Sequence, residues 1–431
     1  MPGSTPRYDV IVVGGGAAGV GAAAGAAGAG ARVALLERAP FLGGAATLSN
    51  VLTYCGFWTQ ADPPRACVGG VGARVLDEIG RYDGIDGPVR MHASNVVVAL
   101  LDPEAVKIAL DRVCAAAGVD VILHAFVSAA DAAGGRITGV TYADHAGATA
   151  LSAAAFVDAS GDADLATRAG ASVQYGDAAG NVQNGTLVMR FGGIDSAADV
   201  SRGVWSRAIR DGKEHGLSEM TKEYGFVSRI PGSGDVVAFL ADEAYDARDA
   251  RATSAAEQRG RRQAWAYLEA IRLLPGHGRA YLVSTGPAIG TRESRHVVSG
   301  YQLTQRDVED AVVPADTVAL GGWPVEYHGG PGKPNVWRRI RGEGAYGIPL
   351  RTLRSRSHSN LFAAGRTIDA DAYAFASARV MGTAFATGHA AGVAAAAVAG
   401  GARGDDAAVR AELLRQDAIL ALQSTKGPHL A

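Results

Sequence analysis

The segment YDVIVVGGGAAG, residues 8–19, decides the fold. It joins an apolar strand to an Ala/Gly-rich stretch, residues 17–30, whose composition is typical of a tightly packed helix. A second apolar strand over residues 32–37 ends in Glu37, about twenty residues after the glycines, where an acid can accept hydrogen bonds from ribose hydroxyls and repel a 2′-phosphate. Strand, helix and strand in this order predict a β-α-β unit that opens a dinucleotide-binding domain.

The glycines of this segment satisfy the pattern G-x-G-x-x-G. Gly14 permits the tight turn, Gly16 lets a pyrophosphate approach the backbone, and Gly19 lets the helix pack closely on the strand. The free N–H groups and the dipole of a helix that begins at Ala17 and Ala18 favour that negative charge. A glycine-rich turn without a ligand is the competing interpretation, and the surrounding β-α-β context weighs against it.

Composition narrows the class of protein. The chain has 431 residues, 48% of them hydrophobic, and a formal charge of −2, which favours two domains or one domain with a large insertion. This balance is too apolar for disorder and lacks the basic excess that nucleic-acid binding needs. The cysteines, Cys55, Cys67 and Cys114, predict neither a disulfide framework nor a metal site. No signal peptide or membrane span is predicted, so we expect a cytoplasmic protein without a membrane partner.

Further along the chain, a helix over residues 101–117 has Asp102 as its predicted cap and Pro103 at its first position. Short apolar runs over residues 119–158 predict a β-meander that returns to a core strand. Another strand is predicted over residues 184–191. The segment 310–345 is expected to be loop-rich, and a long helix is expected to start near Arg379.

The first and last parts of the chain both have an apolar strand followed by an Ala/Gly-rich helix, whereas the middle part is more charged and has no such pattern. We therefore expect a first part of the cofactor domain over residues 1–185 and an inserted substrate or cap domain over residues 186–345. The second part of the cofactor domain follows over residues 346–400, and a C-terminal helix and tail complete the chain over residues 401–431.

Two later apolar strands, residues 155–162 and 360–366, end in small residues and glycine, and with them the sequence resembles a known family. It is similar to the FAD-dependent oxidoreductases of the two-dinucleotide-binding-domain group, relatives of the fumarate reductase and glutathione reductase flavoprotein folds. The matching elements are ERAPFLGGAAT (37–47), DASGDADL (158–165), GTRESR (290–295), VEYH (325–328, with Glu for the family's Asp), AGR (364–366) and ARVM (378–381).

The resemblance implies an α/β fold, with a Rossmann-like FAD-binding domain and an inserted α+β substrate or cap domain. It implies one non-covalent FAD, held by residues of these elements: Gly14, Gly16, Ala17, Ala18, Gly19, Glu37, Arg38, Gly43, Gly44, Ala45, Ala46, Thr47, Val127, Ala159, Gly161, Gly365, Arg366, Arg379, Val380, Met381 and Gly382. In related flavoproteins an Asp after the late glycine contacts the ribityl chain, whereas here Arg366 follows Gly365 and Asp369 comes later.

Three residues are candidates for catalysis. Arg292 has two interpretations. It binds a substrate carboxylate or the electron-rich edge of the flavin, or it belongs with Glu293 to an internal ion-pair network that holds the inserted domain. His328 is either a general acid or base or a loop histidine. Tyr54 is the next candidate base, and it is expected with Phe57 and Trp58 to form an aromatic wall over the flavin or substrate or to be plain core. Cys55 is either a redox-active thiol or flavin attachment point or, as we favour, a small buried residue, and His389 is expected to be packed in the late helix.

The leading functional hypothesis is an FAD-dependent dehydrogenase or oxidase that acts on a small organic molecule and passes electrons to oxygen, a quinone or another protein. A flavin monooxygenase that uses NAD(P)H is an alternative, although no second complete G-x-G-x-x-G is present. A flavin-binding subunit without turnover is another. The composition leaves a homo-oligomer open and gives no reason to expect nucleic acid as a partner.

Overall fold

The computed structural model describes residues 7–91, 95–402 and 405–422. Residues 1–6 lie outside them, as does part of the C-terminal helix and tail expected over residues 401–431. Within the described residues there are twenty strands, ten α-helices and two short 3-10 helices. The strands are β1 Arg7–Val13, β2 Val33–Leu36, β3 Thr53–Cys55, β4 Ile85–Met91, β5 Val96–Leu101, β6 Asp120–Ile122, β7 Phe126–Ala133, β8 Arg136–Asp144, β9 Gly147–Asp158, β10 Val173–Tyr175, β11 Gly185–Gly192, β12 Phe226–Arg229, β13 Val236–Glu243, β14 Tyr281–Thr285, β15 Arg295–Val297, β16 Thr317–Gly321, β17 Val325–Tyr327, β18 Val336–Arg338, β19 Tyr346–Pro349 and β20 Leu361–Ala363.

The helices connect and cover these strands. They are α1 Ala17–Gly28, α2 Val71–Gly80, α3 Pro103–Ala116, α4 Asp164–Arg168, α5 Arg202–Glu214, α6 Ala250–Ile271, α7 Gln305–Glu309, α8 Ala372–Ala378, α9 Met381–Ala399 and α10 Asp406–Arg415, with 3-10 turns at Leu350–Thr352 and Gly365–Thr367.

The largest sheet has the strand order β6-β2-β1-β9, with β20 also pairing with β9. These strands are parallel, and β8 and β7 continue the sheet as an antiparallel meander. Val13 lies opposite Leu36 on one side and Asp158 on the other, so three strands end at the same edge. The residues that follow them therefore meet there, which is where a doubly wound sheet binds its ligand. The α/β, Rossmann-like fold class is confirmed.

Helices α1 and α9 pack against each other through glycine and alanine. A Cβ atom on Gly388 would lie 2.0 Å from the Ala18 carbonyl oxygen, and one on Gly392 would lie 2.0 Å from that of Ala22. Only glycine allows this approach. By length and composition alone α9 could cross a membrane, but 78% of the tested stretch is buried in the protein, and a core helix passes the same test.

The middle of the chain forms an antiparallel sheet in the order β12-β13-β11-β14. Helices α5 and α6 cover it around a core of its own that contains Phe191, Trp205 and Tyr267. A smaller sheet has the strand order β3-β5-β4, and its strand β3 contacts α9. The register of the larger sheet places Thr186 of β11 opposite Asp242 of β13, which brings two polar side chains together at its end.

The segment after this sheet differs from the loop-rich expectation in detail. Within residues 310–345 lie the strand β16, which pairs with β19, and the hairpin β17-β18. The late helix also begins later than expected, at Met381, because Val380 has an extended backbone with φ −70° and ψ 154°. Arg379 therefore ends the separate helix α8 and does not begin α9.

Candidate functional site

A first cavity of about 180 Å³ opens at the shared edge of β1, β2 and β9. Most of the residues that the resemblance assigned to FAD line it. They are Gly14, Gly16, Ala17, Ala18, Glu37, Arg38, Gly44, Ala45, Val127, Ala159, Gly161, Gly365, Arg366, Arg379 and Met381.

The glycine turn leaves room for a phosphate-bearing ligand. A Cβ atom on Gly16 would meet only the Gly44 Cα, at 3.8 Å, so the cavity side of Gly16 is open. A Cβ atom on Gly19 would lie 1.7 Å from the carbonyl oxygen of Gly14, whose φ is +99°. Helix α1 has no side-chain cap at its N-terminus, so its first N–H groups are free to bind an anion. This cradle fits the pyrophosphate of FAD.

Glu37 supports the turn as well as facing the cavity. Its carboxylate accepts hydrogen bonds from the backbone N–H of Gly15 at 2.5 Å and of Ala39 at 2.7 Å. A guanidinium nitrogen of the neighbouring Arg38 lies 3.9 Å from a carboxylate oxygen of Asp162, across the mouth of the same cavity. Glu37 therefore holds the backbone that the pyrophosphate would approach, a role that the motif alone does not show.

Other predicted cofactor residues lie behind the lining. Gly43 donates from its backbone N–H to the Gly15 carbonyl oxygen at 2.9 Å, and the Thr47 hydroxyl donates to the Leu42 carbonyl oxygen at 2.7 Å. Ala46 is buried, and a Cβ atom on Gly382 would lie 2.6 Å from the Cys55 carbonyl oxygen. These residues shape the loop and the start of α9, while their neighbours face the cavity.

A second cavity, of about 740 Å³, adjoins the first. Both are lined by a shared set of residues, namely Ala45, Gly290, Thr291, Arg366, Arg379 and Met381. A ligand too long for the first cavity can therefore extend into the second. Val380, the remaining predicted cofactor residue, lines the second cavity only, together with both leading catalytic candidates, Arg292 and His328.

His328 follows β17 directly and is buried. Its Nε2 lies 3.4 Å from Oε1 of Glu326, which also accepts a hydrogen bond from the Asn335 amide at 3.1 Å. Burial opposes ionisation of Glu326, but the hydrogen bond from His328 and nearby guanidinium groups outweigh it and lower its pKa to about 2. An ionised carboxylate only accepts, so Nε2 carries the hydrogen, and Nδ1 is a buried acceptor without a partner.

Burial and the charge of Arg292 lower the pKa of His328 to about 3, so the ring is neutral at neutral pH. Its backbone is fixed through the Gln183 side chain, whose carbonyl oxygen accepts from the His328 N–H at 3.3 Å. Gln183 in turn donates to the Glu293 carboxylate from its backbone N–H at 3.0 Å and from its side chain at 3.3 Å. Glu293 is thus a support for the histidine loop.

Arg292 contacts groups that the sequence did not suggest. Its guanidinium donates to the Asn184 carbonyl oxygen and lies 3.9 Å from the Asp242 carboxylate. Asp242 already pairs with the ammonium of Lys222 at 2.8 Å and accepts from the Thr186 hydroxyl at 2.7 Å. Lys222 lines the second cavity. Thr186 and Asp242 are distant in sequence and meet here because β11 and β13 are neighbouring strands. No local sequence pattern could indicate this contact.

Arg379 is a second, half-buried guanidinium beside this cluster. One of its nitrogens donates to the Glu326 carbonyl oxygen at 3.3 Å, while its Nε has no partner among the described residues. Burial and the charge of Arg292 lower its pKa to about 10, which still leaves it charged at neutral pH. Arg366 lies over Gly161, and it donates to the Thr291 carbonyl oxygen at 2.7 Å.

The remaining candidates take different places. Tyr54 lines neither cavity; it is buried with Phe57 and Phe385, at ring distances of 5.6 and 5.5 Å. Cys55 lines the second cavity, and burial raises the pKa of its thiol to about 12. His389 is buried in α9, 2.8 Å from the Gln416 side-chain oxygen. No cluster of metal-binding side chains occurs in the part of the chain that the structure describes.

The sequence matches the model of the FAD dependent oxidoreductase family over residues 9–416. Similar solved structures include a geranylgeranyl bacteriochlorophyll reductase-like protein from Thermoplasma acidophilum, at 14% identity over 96% of this chain and 84% of that one, with a TM-score of 0.48. The flavin-dependent brominase Bmp2 has 14% identity, coverage of 95% and 84%, and a TM-score of 0.49. GidA from Aquifex aeolicus has 15% identity, coverage of 92% and 64%, and a TM-score of 0.48. No curated protein sequence matched. The family match over nearly the whole chain shows that this protein belongs to the FAD dependent oxidoreductase family and is an enzyme with FAD as its cofactor.

Proposed function

We propose that the enzyme is a dehydrogenase or oxidase whose small organic substrate binds in the second cavity. The observation that carries the proposal is His328, which lines a cavity that shares residues with the cofactor cavity and whose buried Nδ1 has no partner among the described residues. FAD supplies the redox chemistry there by accepting a hydride from the substrate.

His328 is the proposed base. Oxidation of an alcohol or amine by loss of hydride also requires loss of a proton, and a neutral imidazole nitrogen can take it. Glu326 fixes the ring so that Nδ1 is the free acceptor, and its negative charge partly offsets the burial and the Arg292 charge that disfavour the imidazolium. The arrangement gives His328 both a fixed tautomer and a counter-charge.

Arg292 and Arg379 are the proposed positioning groups. Both are charged, both line the second cavity, and Arg379 also lines the first. Arg292 offers a planar fork to a polar group of the substrate, and such a hold matters because small displacements of reacting atoms cost rate steeply. The uncapped N-terminus of α9, beginning at Met381, adds free N–H donors at the junction of the two cavities.

We also propose that FAD is held without a covalent bond. Cys55 is the cysteine that lines the second cavity, and its raised pKa keeps the thiol protonated and a poor nucleophile. Acid precipitation should therefore release the flavin into the supernatant, where its absorbance is measured. Flavin that stays with the precipitated chain contradicts this part.

The reaction is tested by anaerobic titration of the oxidised flavoprotein with hydroxy acids, amino acids, amines, alcohols and thiols, read as bleaching of the flavin absorbance. Reduction by at least one class, without a pyridine nucleotide, is the expected result. Reduction by NAD(P)H alone supports the monooxygenase alternative instead. A flavin that none of these compounds reduces supports a subunit without turnover.

A further inference from the structure

The charged side chains that line the second cavity are mostly cations. Four of them, Lys222, Arg292, Arg366 and Arg379, line it beside one carboxylate, Glu326. The carboxylates of Asp242 and Glu293 lie behind this lining, where they interact with Lys222 and Arg379. An isolated buried charge is costly, so a site of this kind is completed by an anion when its ligand binds.

Arg292 shares its nearest carboxylate with another cation. The Oδ2 atom of Asp242 is paired with Lys222 at 2.8 Å, and Oδ1 accepts from the Thr186 hydroxyl at 2.7 Å. Arg292 approaches this carboxylate only to 3.9 Å, and the hydrogen bond it makes is to a backbone carbonyl oxygen, that of Asn184. Its guanidinium has five N–H donors, so most of the fork is left for a ligand in the cavity that it lines.

Part of the cavity wall is apolar. A small separate apolar cluster includes Val96, Val98, Trp323 and Val380, and Phe226 packs against it. All five residues line the cavity. The Phe226 ring lies 5.0 Å from the ring of Phe239, which also lines the cavity. An aromatic or branched aliphatic group is the natural partner of such a surface.

A further positive charge stands at the exposed end of the cavity. The Arg202 guanidinium lies 4.2 Å from the centre of the Tyr224 ring, both residues line the cavity, and both are exposed. An exposed cation contributes little binding energy by itself, but it raises the local concentration of anions near the opening. Arg202 therefore adds a cation at the opening to those that line the interior of the cavity.

We propose that the substrate is an organic acid with one carboxylate, bound by Arg292, and an aromatic or aliphatic body, packed against the Val96, Trp323 and Phe226 surface. This assignment rests on the proposed function, since it names the substrate of the same site. A carboxylate is planar and singly charged, which suits one guanidinium fork, whereas a phosphate monoester carries about two negative charges at neutral pH.

The test is isothermal titration calorimetry of the oxidised, FAD-loaded protein with 2-naphthoate, 2-naphthamide and 2-naphthyl phosphate, with acetate as the acid that lacks a body. These ligands report binding without turnover. We expect 2-naphthoate to bind at least about tenfold more tightly than the amide, the phosphate and acetate. Equal affinities for acid and amide, or no binding of the acid, would overturn the proposal.

The variant Arg292→Met should remove the preference for the acid over the amide, with Arg292→Lys intermediate. The matched control is Arg207→Met, on the exposed face of the same domain's α5 and outside both cavities, which should leave both affinities unchanged. If Arg292→Met fails to retain FAD, the unmodified protein's acid and amide affinities decide the question alone. Preference for the acid without flavin reduction by any compound would contradict the proposed function and leave the anion site standing.

Discussion

The Nε2 atom of His328 lies 3.4 Å from Oε1 of Glu326, and both residues line the second cavity beside the cofactor cavity. The pair fixes one hydrogen on the ring and leaves Nδ1 as a buried acceptor without a partner among the described residues. This is the geometry of a histidine base with a carboxylate that orients it. Function in this enzyme is therefore expected to depend on both members of the pair.

Replacing Glu326 with Gln should slow substrate-driven flavin reduction by about tenfold or more, because the neutral amide no longer stabilises the imidazolium. Stopped-flow absorbance under anaerobic conditions measures that rate. Glu343→Gln is the matched control, since Glu343 is exposed and outside both cavities. An unchanged rate in Glu326→Gln would show that the carboxylate has no electrostatic role.

Gly16 and Gly19 should respond differently to alanine and larger residues. Gly16→Val should abolish retention of FAD and leave the apo fold intact, because the added atoms enter the cavity that the pyrophosphate needs. Gly19→Ala should instead destabilise the chain, since its Cβ would meet the Gly14 carbonyl oxygen at 1.7 Å. Flavin content and thermal unfolding of the apoprotein separate the two effects. Full FAD occupancy in Gly16→Val would place the phosphates elsewhere.

Arg379→Ala should lower the flavin reduction potential by roughly 30 mV or more, equivalent to about 1.4 kcal/mol for two electrons. Reduced flavin carries more negative charge than oxidised flavin, and the half-buried Arg379 charge at the junction of the cavities stabilises it. Redox titration against a reference dye gives the value, and Arg379→Lys should lie nearer the parent potential. A potential that does not move would confine Arg379 to holding the Glu326 backbone.

His389 should make the fold sensitive to acid. Burial lowers its pKa to about 4, whereas the unfolded chain binds that proton near pH 6.5. Between those values the unfolded state holds more protons, so the free energy of unfolding falls as the pH falls, by on the order of 3 kcal/mol over the window. His389→Asn should flatten denaturant-measured stability between pH 6.5 and 4, and the exposed control His145→Asn should not. An unchanged slope in His389→Asn would mean that the ring is protonated in the folded protein.

Much of the cofactor half follows from sequence because its signals are local. The strand before Gly14, the acid at Glu37 and the cap at Asp102 each need only a few neighbouring residues, and the Asp102 side chain indeed accepts from the backbone N–H of Glu104 and Ala105 at 2.9 and 3.0 Å. Apolar runs that end in small residues and glycine also predict the returning strands, because the strands of a buried parallel sheet are apolar on both faces.

The substrate side is less predictable because its contacts are long-range. Lys222 and Asp242 lie in a charged stretch without a motif, and their ion pair joins a residue that precedes β12 to one in β13. Thr186 meets Asp242 through strand pairing between β11 and β13. Tyr54 illustrates the converse, since its sequence neighbours suggest a site but the strand turns its ring toward Phe385. A pattern identifies polar or aromatic residues, and the tertiary fold decides which of them face a cavity.

The assignment of His328 as the base is tested most directly by the rate of flavin reduction in His328→Asn. That rate is measured anaerobically by stopped flow with the substrate that the titration identifies. The rate should fall by about 10² or more while FAD stays bound, and the exposed control His215→Asn should reduce at the parent rate. Reduction of His328→Asn at the parent rate across the pH range would contradict the assignment of His328 as the base.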